Sequence, residues 1–297
     1  MLGDRQRRLL ALLDTLGGQI GALDFQKLLF LFGMEEGVSM YEFVPYRFGA
    51  FSFTSYADKR RLIEGGFLNN DEQAWKLTEA GRTAATVLPS ERLKMKRFCE
   101  RYAQLRGDAL VRESYRRYPY FAIRSDIAAR LLREDKSALA AIDAIRPVRA
   151  TPGLCTIGYE GRSLEGYLNR LIRAGVTLLC DVRRNPLSRK YGFAKSTLAK
   201  SCEGTGIRYE HLPELGVSSE DRQHLETQED YETLFTRYER ETLPIQQSAL
   251  DTIHQWIQQG ERVALTCFEA EPLRCHRHCV ADALHRLHGQ NLAPLHL

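Results

Sequence analysis

No apolar stretch in these 297 residues approaches the roughly 20 consecutive residues that cross a bilayer, so a helical membrane span is not expected. The first residues, Met1 to Arg8, are basic, but Asp14 interrupts the apolar run behind them. No cleavage-like site follows, and a signal peptide is not expected. An even cysteine complement is also missing. The seven cysteines, at 99, 155, 180, 202, 267, 275 and 279, mostly sit inside apolar runs. That argues against a disulfide framework and for a reducing, cytoplasmic setting.

What is present is an ordinary globular composition, 43% apolar and 27% charged, in a chain long enough for two domains. The net charge of +4 is unevenly spread. Residues 1–90 hold 10 Lys and Arg against 11 Asp and Glu, and residues 151–297 hold 17 against 19. Residues 91–150 hold 15 against 8, a net +7, with Tyr102, Tyr115, Tyr118 and Tyr120 interleaved. Such a segment suits a polyanion or, equally, a solvated helical face.

In the first third, residues 5–15 repeat apolar positions at helical spacing, and Asp24 is read as the cap of a second helix. Ser52 caps a third, which ends at Gly65-Gly66. Phe67-Leu68, a turn at 69–72 and Ala74 to Thr78 then read as a β-hairpin. Three helices followed by a hairpin is the winged-helix order. It would offer the third helix to a DNA groove, with Lys59, Arg60 and Arg61 on or near it. Arg116 and Arg117, from the basic segment, are further candidate nucleic-acid contacts. Winged helices serve equally as protein-binding modules. The run from Phe25 to Phe32, the stretch Tyr41 to Ser52, and Glu113 through Tyr118-Pro119-Tyr120-Phe121 to Ser125 resemble the YwgA-like and SocA-like bacterial families. That resemblance implies that 91–150 belongs with the first domain. Pro147 and Thr151-Pro152-Gly153 mark the boundary, placing one domain at 1–150 and another at 151–297.

The second half alternates strand and helix. Strands are expected at 154–159, 176–182, 207–212, 263–267 and 292–296. Helices are expected from Ser163, over 196–203, over 229–243 and 244–259 with a break at Pro244, and over 276–288. This pattern predicts a three-layer α/β domain with a parallel sheet, preceded by a mostly helical winged-helix-like domain. In a parallel sheet every strand delivers its last residues to one rim, where ligands bind. Here that rim would hold Gly158-Tyr159, Asp181-Val182-Arg183, His211 to Glu214, and Cys267 to Glu269.

Several of these residues suggest chemistry. Glu269 is the candidate acid-base residue. Cys267, near Arg274, Arg277 and a helix start, is either a nucleophile or a small core residue. His276 and Arg277 could polarise a leaving group or hold an anion. The cations of the loop 181–193, among them Arg183, Arg184, Arg189 and Lys190, suit a phosphate, unless Asp181 and Arg183 pair with each other. Gly158, Tyr159 and Cys275 complete the expected anion and substrate site, and Asp181 joins the expected catalytic group. Cys275 to Cys279 with Cys267 do not have the spacing of a structural zinc module. With Cys279 on a core face the ligands are expected to diverge, and no metal is expected. His278, Asp282 and His285 are read as solvated.

Thr156 to Tyr159, Asp181-Val182-Arg183 with Pro186 and Ser188, His211 to Gly216, and Cys267-x-Glu269 followed by Cys275-His276-Arg277 together resemble the prokaryotic family known as domain of unknown function 488. The likeness covers almost all of 154–297, and it implies where the site is rather than what it does. Tyr159 departs from it, standing where the family commonly has His. Asp181-Val182-Arg183 and a strand ending in Cys are also similar to rhodanese-like sulfurtransferases and cysteine phosphatases. However, Leu273 stands where a phosphatase loop needs Arg, and Pro272 removes an amide donor. The expected function is therefore a bacterial nucleic-acid-associated enzyme, a hydrolase or transferase acting on a nucleotide or nucleic-acid moiety. Its partners would be nucleic acid, with DNA favoured, and a small anionic ligand. The alternatives are a thiol enzyme using Cys267 and a non-catalytic nucleic-acid-binding regulator that senses a small anion. The sequence specifies no cofactor.

Overall fold

The structure, a computed structural model, describes residues 2–147, 150–218, 221, 225, 227–289 and 292–297. It separates into two units, Met1–Arg146 and Pro147–Leu297. Among the described residues no helix is long and apolar enough to cross a membrane.

The first unit runs α1 (Asp4–Thr15), β1 (Gln19–Gly21), α2 (Ala22–Glu36), β2 (Val44–Tyr46), β3 (Gly49–Phe51), α3 (Phe53–Glu64) and β4 (Ala74–Lys76). It continues with α4 (Glu79–Ala84), α5 (Pro89–Arg101), α6 (Gly107–Arg117), α7 (Ala128–Leu131) and α8 (Lys136–Ile145). α3 lies between the two signals that bracket it in the sequence, and the Ser52 hydroxyl accepts the Ser55 N–H at 3.3 Å. Asp24 does not cap α2, which starts two residues earlier at Ala22. Its carboxylate instead accepts the Gly107 N–H at 2.8 Å, tying the start of α6. The expected hairpin is present as a bridge between Leu68 and Leu77, but the principal partner of β4 is β1, with Ile20 opposite Trp75. An additional hairpin pairs β2 with β3. Trp75, fully buried, packs on Phe25 with ring centroids 4.7 Å apart.

Much of the positive charge of 91–150 is paired within this unit. Arg92 meets Asp14 at 3.2 Å, Arg116 meets Asp135 at 2.7 Å, and Arg130 meets Asp108 at 2.8 Å. Arg101 and Arg117 both bind Glu35.

The second unit runs β5 (Gly153–Gly158), α9 (Leu164–Arg173), β6 (Leu178–Asp181), α10 (Lys195–Gly204), β7 (Arg208–His211) and α11 (Gln228–Arg237). It ends with α12 (Gln247–Gln258), β8 (Arg262–Cys267), α13 (Arg277–His288) and β9 (Leu295–His296). The strands form one parallel sheet in the order β7-β6-β8-β5-β9. α11, α12 and α13 cover one face through Leu154, Leu178, Cys180, Val263 and Leu265. α9 covers the other, where the Tyr167 hydroxyl donates to Thr266 Oγ1 at 2.7 Å. This is the three-layer α/β arrangement, and the inner strands β5, β6 and β8 are buried because both faces are covered, while the edge strands β7 and β9 are not. The Ser163 hydroxyl caps α9, accepting the Gly166 N–H at 2.9 Å, and Leu164, Tyr167, Leu168, Leu171 and Ile172 are buried as the helical spacing requires. The expected break at Pro244 is absent. The helical run continues from α11 to α12 through a π turn (Tyr238–Thr242) and a 3-10 turn (Leu243–Gln246). Proline has no N–H to donate, and this change of pitch accommodates it without ending the run.

Candidate functional site

The parallel register puts the ends of four strands in one row. Gly158 of β5 sits beside Cys267 of β8, Thr266 beside Asp181 of β6, and Asp181 beside His211 of β7. Directly beyond this row the loops cross. Glu160 N–H donates to the Phe268 carbonyl at 2.8 Å, and a Glu160 carboxylate oxygen accepts the Ala270 N–H at 2.9 Å. The crossing is so close that a Cβ on residue 158 would lie 1.8 Å from the Glu269 carbonyl oxygen. Only glycine fits there. Gly216 plays the same part further along the rim, where a Cβ would lie 2.1 Å from the Arg184 nitrogen.

Asp181 and Arg183 close on each other, Asp181 fully buried and Arg183 nearly so, at the wall of a cavity. Arg183 Nε and Nη2 donate to the two Asp181 oxygens at 2.8 and 2.5 Å. Nη1 donates to the Tyr159 hydroxyl at 3.0 Å and to the Phe193 carbonyl at 2.9 Å. Asp181 is 0% exposed and also accepts the Tyr209 hydroxyl at 2.6 Å. Burial works against the Arg183 charge, but the hydrogen bonds and charge of Asp181 outweigh it and raise the guanidinium pKa. Burial and then the Asp181 charge push the Tyr209 hydroxyl up. Tyr159 is clamped in turn, its ring stacked on Phe193 at 4.3 Å and edge-on to Phe268 at 5.3 Å. The expected catalytic carboxylate and anion-binding guanidinium therefore form a frame that holds Tyr159 and the start of the loop.

Arg277 is likewise withdrawn. Buried to 1% exposure, it donates Nη1 to the Glu269 carbonyl at 2.5 Å and Nη2 to the Ala270 carbonyl at 3.0 Å. It is a staple between α13 and the loop, not a rim cation. Two exposed cations, Arg184 and Arg189, face the opening. They border a cavity of about 340 Å³ that reaches Cys267, with Tyr159, Ser188 and Phe268 also in its walls. Lys190 folds back instead, its ammonium donating to the Tyr159 carbonyl at 2.9 Å. His211 joins two loops, with Nε2 at 2.9 Å from the Arg183 carbonyl and Nδ1 at 2.9 Å from Lys195.

Cys267, Cys275 and His276 converge. Their ligand atoms, two Sγ and a ring nitrogen, all lie within 4.8 Å of one another, and all three residues are buried. The expectation that these ligands diverge holds for Cys279, which packs in the core beside Val280 and Leu284, but not for the other three. The backbone explains it. Cys275 is extended (φ −139°, ψ 129°) and His276 helical (φ −53°, ψ −17°), a bend that turns two adjacent side chains toward Cys267. Nε2 of His276 lies 2.9 Å from the Val182 carbonyl and Nδ1 3.8 Å from Cys267 Sγ. A carbonyl oxygen only accepts, so Nε2 donates this bond, and Nδ1 is the ring nitrogen turned toward the thiol. Burial, then the Cys267 thiol, push the Cys275 thiol well above the usual range. A second cavity, of about 140 Å³, is bounded by Cys275, His276, Glu269 and Arg274, with Tyr231 and Phe235 opposite. His278 is not solvated as expected: its Nδ1 donates to the Cys275 carbonyl at 2.7 Å and its ring packs edge-on to Phe235.

In the first unit, Lys59 is buried at 4% exposure. Its ammonium donates to the carbonyls of Asp71 and Ala74 at 2.6 and 2.8 Å, so it braces the hairpin rather than facing outward. Arg60 and Arg61 are exposed, Arg61 lying 3.8 Å from Asp58. Arg116 and Arg117 are the partners of Asp135 and Glu35 named above.

The second unit thus has the layout of an open α/β domain with two cavities at its strand ends. Residues 163–284 match the model of the family described as Domain of unknown function DUF488. The matched segment contains Asp181, Arg183, Arg189 and everything from Cys267 to Arg277, and begins after Gly158 and Tyr159. No curated protein and no solved structure matches the chain.

Proposed function

We propose that the second unit is the catalytic part of an enzyme acting on a nucleotide or nucleic-acid moiety, and that the first unit is a winged-helix-like module that docks nucleic acid. The observation that carries this reading is the cavity above Cys267, bordered by two exposed guanidinium groups. Arg184 and Arg189 would hold a phosphate, and the exposed faces of Leu187 and Phe268 would flank a sugar or base. Glu269, a wall of the second cavity of about 140 Å³, would move the proton from there, as hydrolase or transferase chemistry requires. Asp181, Arg183 and Arg277 act as positioning residues, through Tyr159 and the 267–276 loop. The first unit contributes α1 to α3 followed by the strand pair, with Arg60 and Arg61 on the third helix. The test is to incubate the full chain with nucleotides and with single- and double-stranded oligonucleotides, reading products by chromatography. A product formed by the intact protein and lost in Glu269→Gln supports the reading. Full activity in that variant removes the acid-base role, and no binding to any member of the panel removes the substrate class.

A second reading rests on the Cys267–His276 contact. A ring nitrogen oriented by a backbone carbonyl and facing a thiol is the arrangement that activates a nucleophilic cysteine. Iodoacetamide would then label Cys267 faster than Cys99, whose thiol burial pushes up to about 11. Equal or slower labelling at Cys267 argues against it.

A further inference from the structure

We propose that Cys267, Cys275 and His276 form a site for one soft divalent metal ion, zinc by the chemistry of its donors. Two thiols and an imidazole are the ligand set that selects zinc among the common divalent ions of cells. No two of the three donors are more than 4.8 Å apart, close enough for small side-chain rotations to bring them onto one tetrahedral ion. Metal–sulfur and metal–nitrogen bonds of about 2.3 and 2.0 Å set neighbouring donors about 3.5 to 3.8 Å apart, and Cys267 Sγ lies 3.8 Å from His276 Nδ1. Nδ1 faces Cys267, and because Nε2 donates to the Val182 carbonyl, Nδ1 is the nitrogen through which the neutral ring would bind an ion. That second bond is the outer support that a ligating histidine requires.

The frame is fixed before any ion arrives. Cys267 ends a buried central strand, Cys275 N–H donates to the Pro272 carbonyl at 3.0 Å, and Arg277 holds the carbonyls of Glu269 and Ala270. A site with three protein donors leaves a fourth position for water or substrate, as catalytic rather than structural zinc sites do. The cavity of about 140 Å³ is bounded by Cys275, His276 and Glu269, and the one of about 340 Å³ reaches Cys267, so the site lies between two spaces from which water or substrate could approach. The ion site does not depend on the enzyme reading. It does compete with the nucleophile reading, since a thiolate bound to the ion is no longer available to attack.

The test is spectroscopic and uses the full chain. Protein stripped with a chelator under reducing conditions is titrated with Co²⁺ without oxygen, and then with Zn²⁺. The expected result is a single Co²⁺ per chain, with visible bands of tetrahedral cobalt and near-ultraviolet thiolate-to-cobalt charge transfer, both abolished by Zn²⁺. Cys267→Ser, Cys275→Ser and His276→Gln should each lose the charge-transfer signal or its affinity, and Cys275→His should keep tetrahedral bands. Cys202→Ser and Cys279→Ser should match the parent protein. Absence of thiolate-to-cobalt absorption in the unsubstituted protein, which needs no variant to fold, overturns the proposal. So does an unchanged spectrum in Cys267→Ser. Metal binding without any nucleotide turnover would retain the site and remove the enzyme reading.

Discussion

Arg183 and Asp181, two residues apart at the end of β6, meet through two parallel hydrogen bonds of 2.8 and 2.5 Å, with Asp181 fully buried and Arg183 nearly so. Breaking such a pair from one side leaves a buried charge with no counter-ion, which costs about 3–5 kcal/mol. Asp181→Asn is therefore expected to destabilise the second unit by about that amount, and to release the Tyr159 hydroxyl from its guanidinium partner. Urea unfolding of the full chain, followed by a probe in the second unit, measures it. A loss below about 1 kcal/mol, the range of an exposed pair, would show that the frame does not depend on this contact.

Gly158 carries the next expectation. A methyl group there would meet the Glu269 carbonyl oxygen at 1.8 Å, and backbone on both sides must move to admit it. Gly158→Ala should cost about 1–3 kcal/mol, the range for overpacking. It should also shift the 267–276 loop, so that Cys267 and His276 lose their register and Co²⁺ affinity falls. Gly158→Ala with the parent's melting temperature and cobalt spectrum would show that the loop tolerates displacement.

These two positions also mark how far the sequence could be read. Three strand ends were legible because buried parallel strands are apolar runs that stop abruptly at Gly158, Asp181 and Cys267. α9 was legible residue by residue because Ser163 and five apolar positions at helical spacing leave one solution. The insertion of β8 between β6 and β5 was not, since strand order follows from how helices pack on the sheet. The β2–β3 hairpin has three-residue strands, too short to show alternation. Asp181 and Arg183 could be seen as a possible pair, but only folding shows that Tyr159, Phe193 and Tyr209 close around them. The convergence of Cys275 and His276 on Cys267 depends on one bend at 275–276 and on the Arg277 staple, neither of which leaves a spacing pattern.

Lys27 gives a pH dependence of definite sign. It lies in the core of the first unit with its ammonium donating to the Ala50 carbonyl at 2.8 Å, and burial pushes its pKa down from 10.5 to about 7. Between those values the unfolded chain holds a proton that the folded chain does not. Unfolding then takes up a proton, and stability rises with pH by up to about 1.4 kcal/mol per unit. Below pH of about 7 both states are protonated and this contribution to the slope vanishes. Urea midpoints of the first unit should therefore climb from pH 7 upward, and Lys27→Met should flatten the climb. Parallel profiles for the two proteins would remove Lys27 as the cause.

The nucleic-acid reading separates cations that look alike in sequence. Arg60, Arg61, Arg184 and Arg189 are exposed, whereas the Lys59 ammonium is held by the carbonyls of Asp71 and Ala74. An exposed arginine that meets a phosphate releases counter-ions on binding, so its removal should reduce the slope of log affinity against log salt by about 1. Arg60→Ala and Arg184→Ala are each expected to do so in titrations with a labelled oligonucleotide, with melting temperatures unchanged. Lys59→Met should do the reverse, lowering the melting temperature because two half-buried carbonyls lose their donor, while the salt slope of the folded protein stays as it was. If Lys59→Met lowers the slope and Arg60→Ala does not, the third helix does not meet the backbone through its exposed side. If none of the three changes it, phosphate contact by these arginines is wrong, and the strand-end cavity must take a ligand that is not part of a nucleic acid.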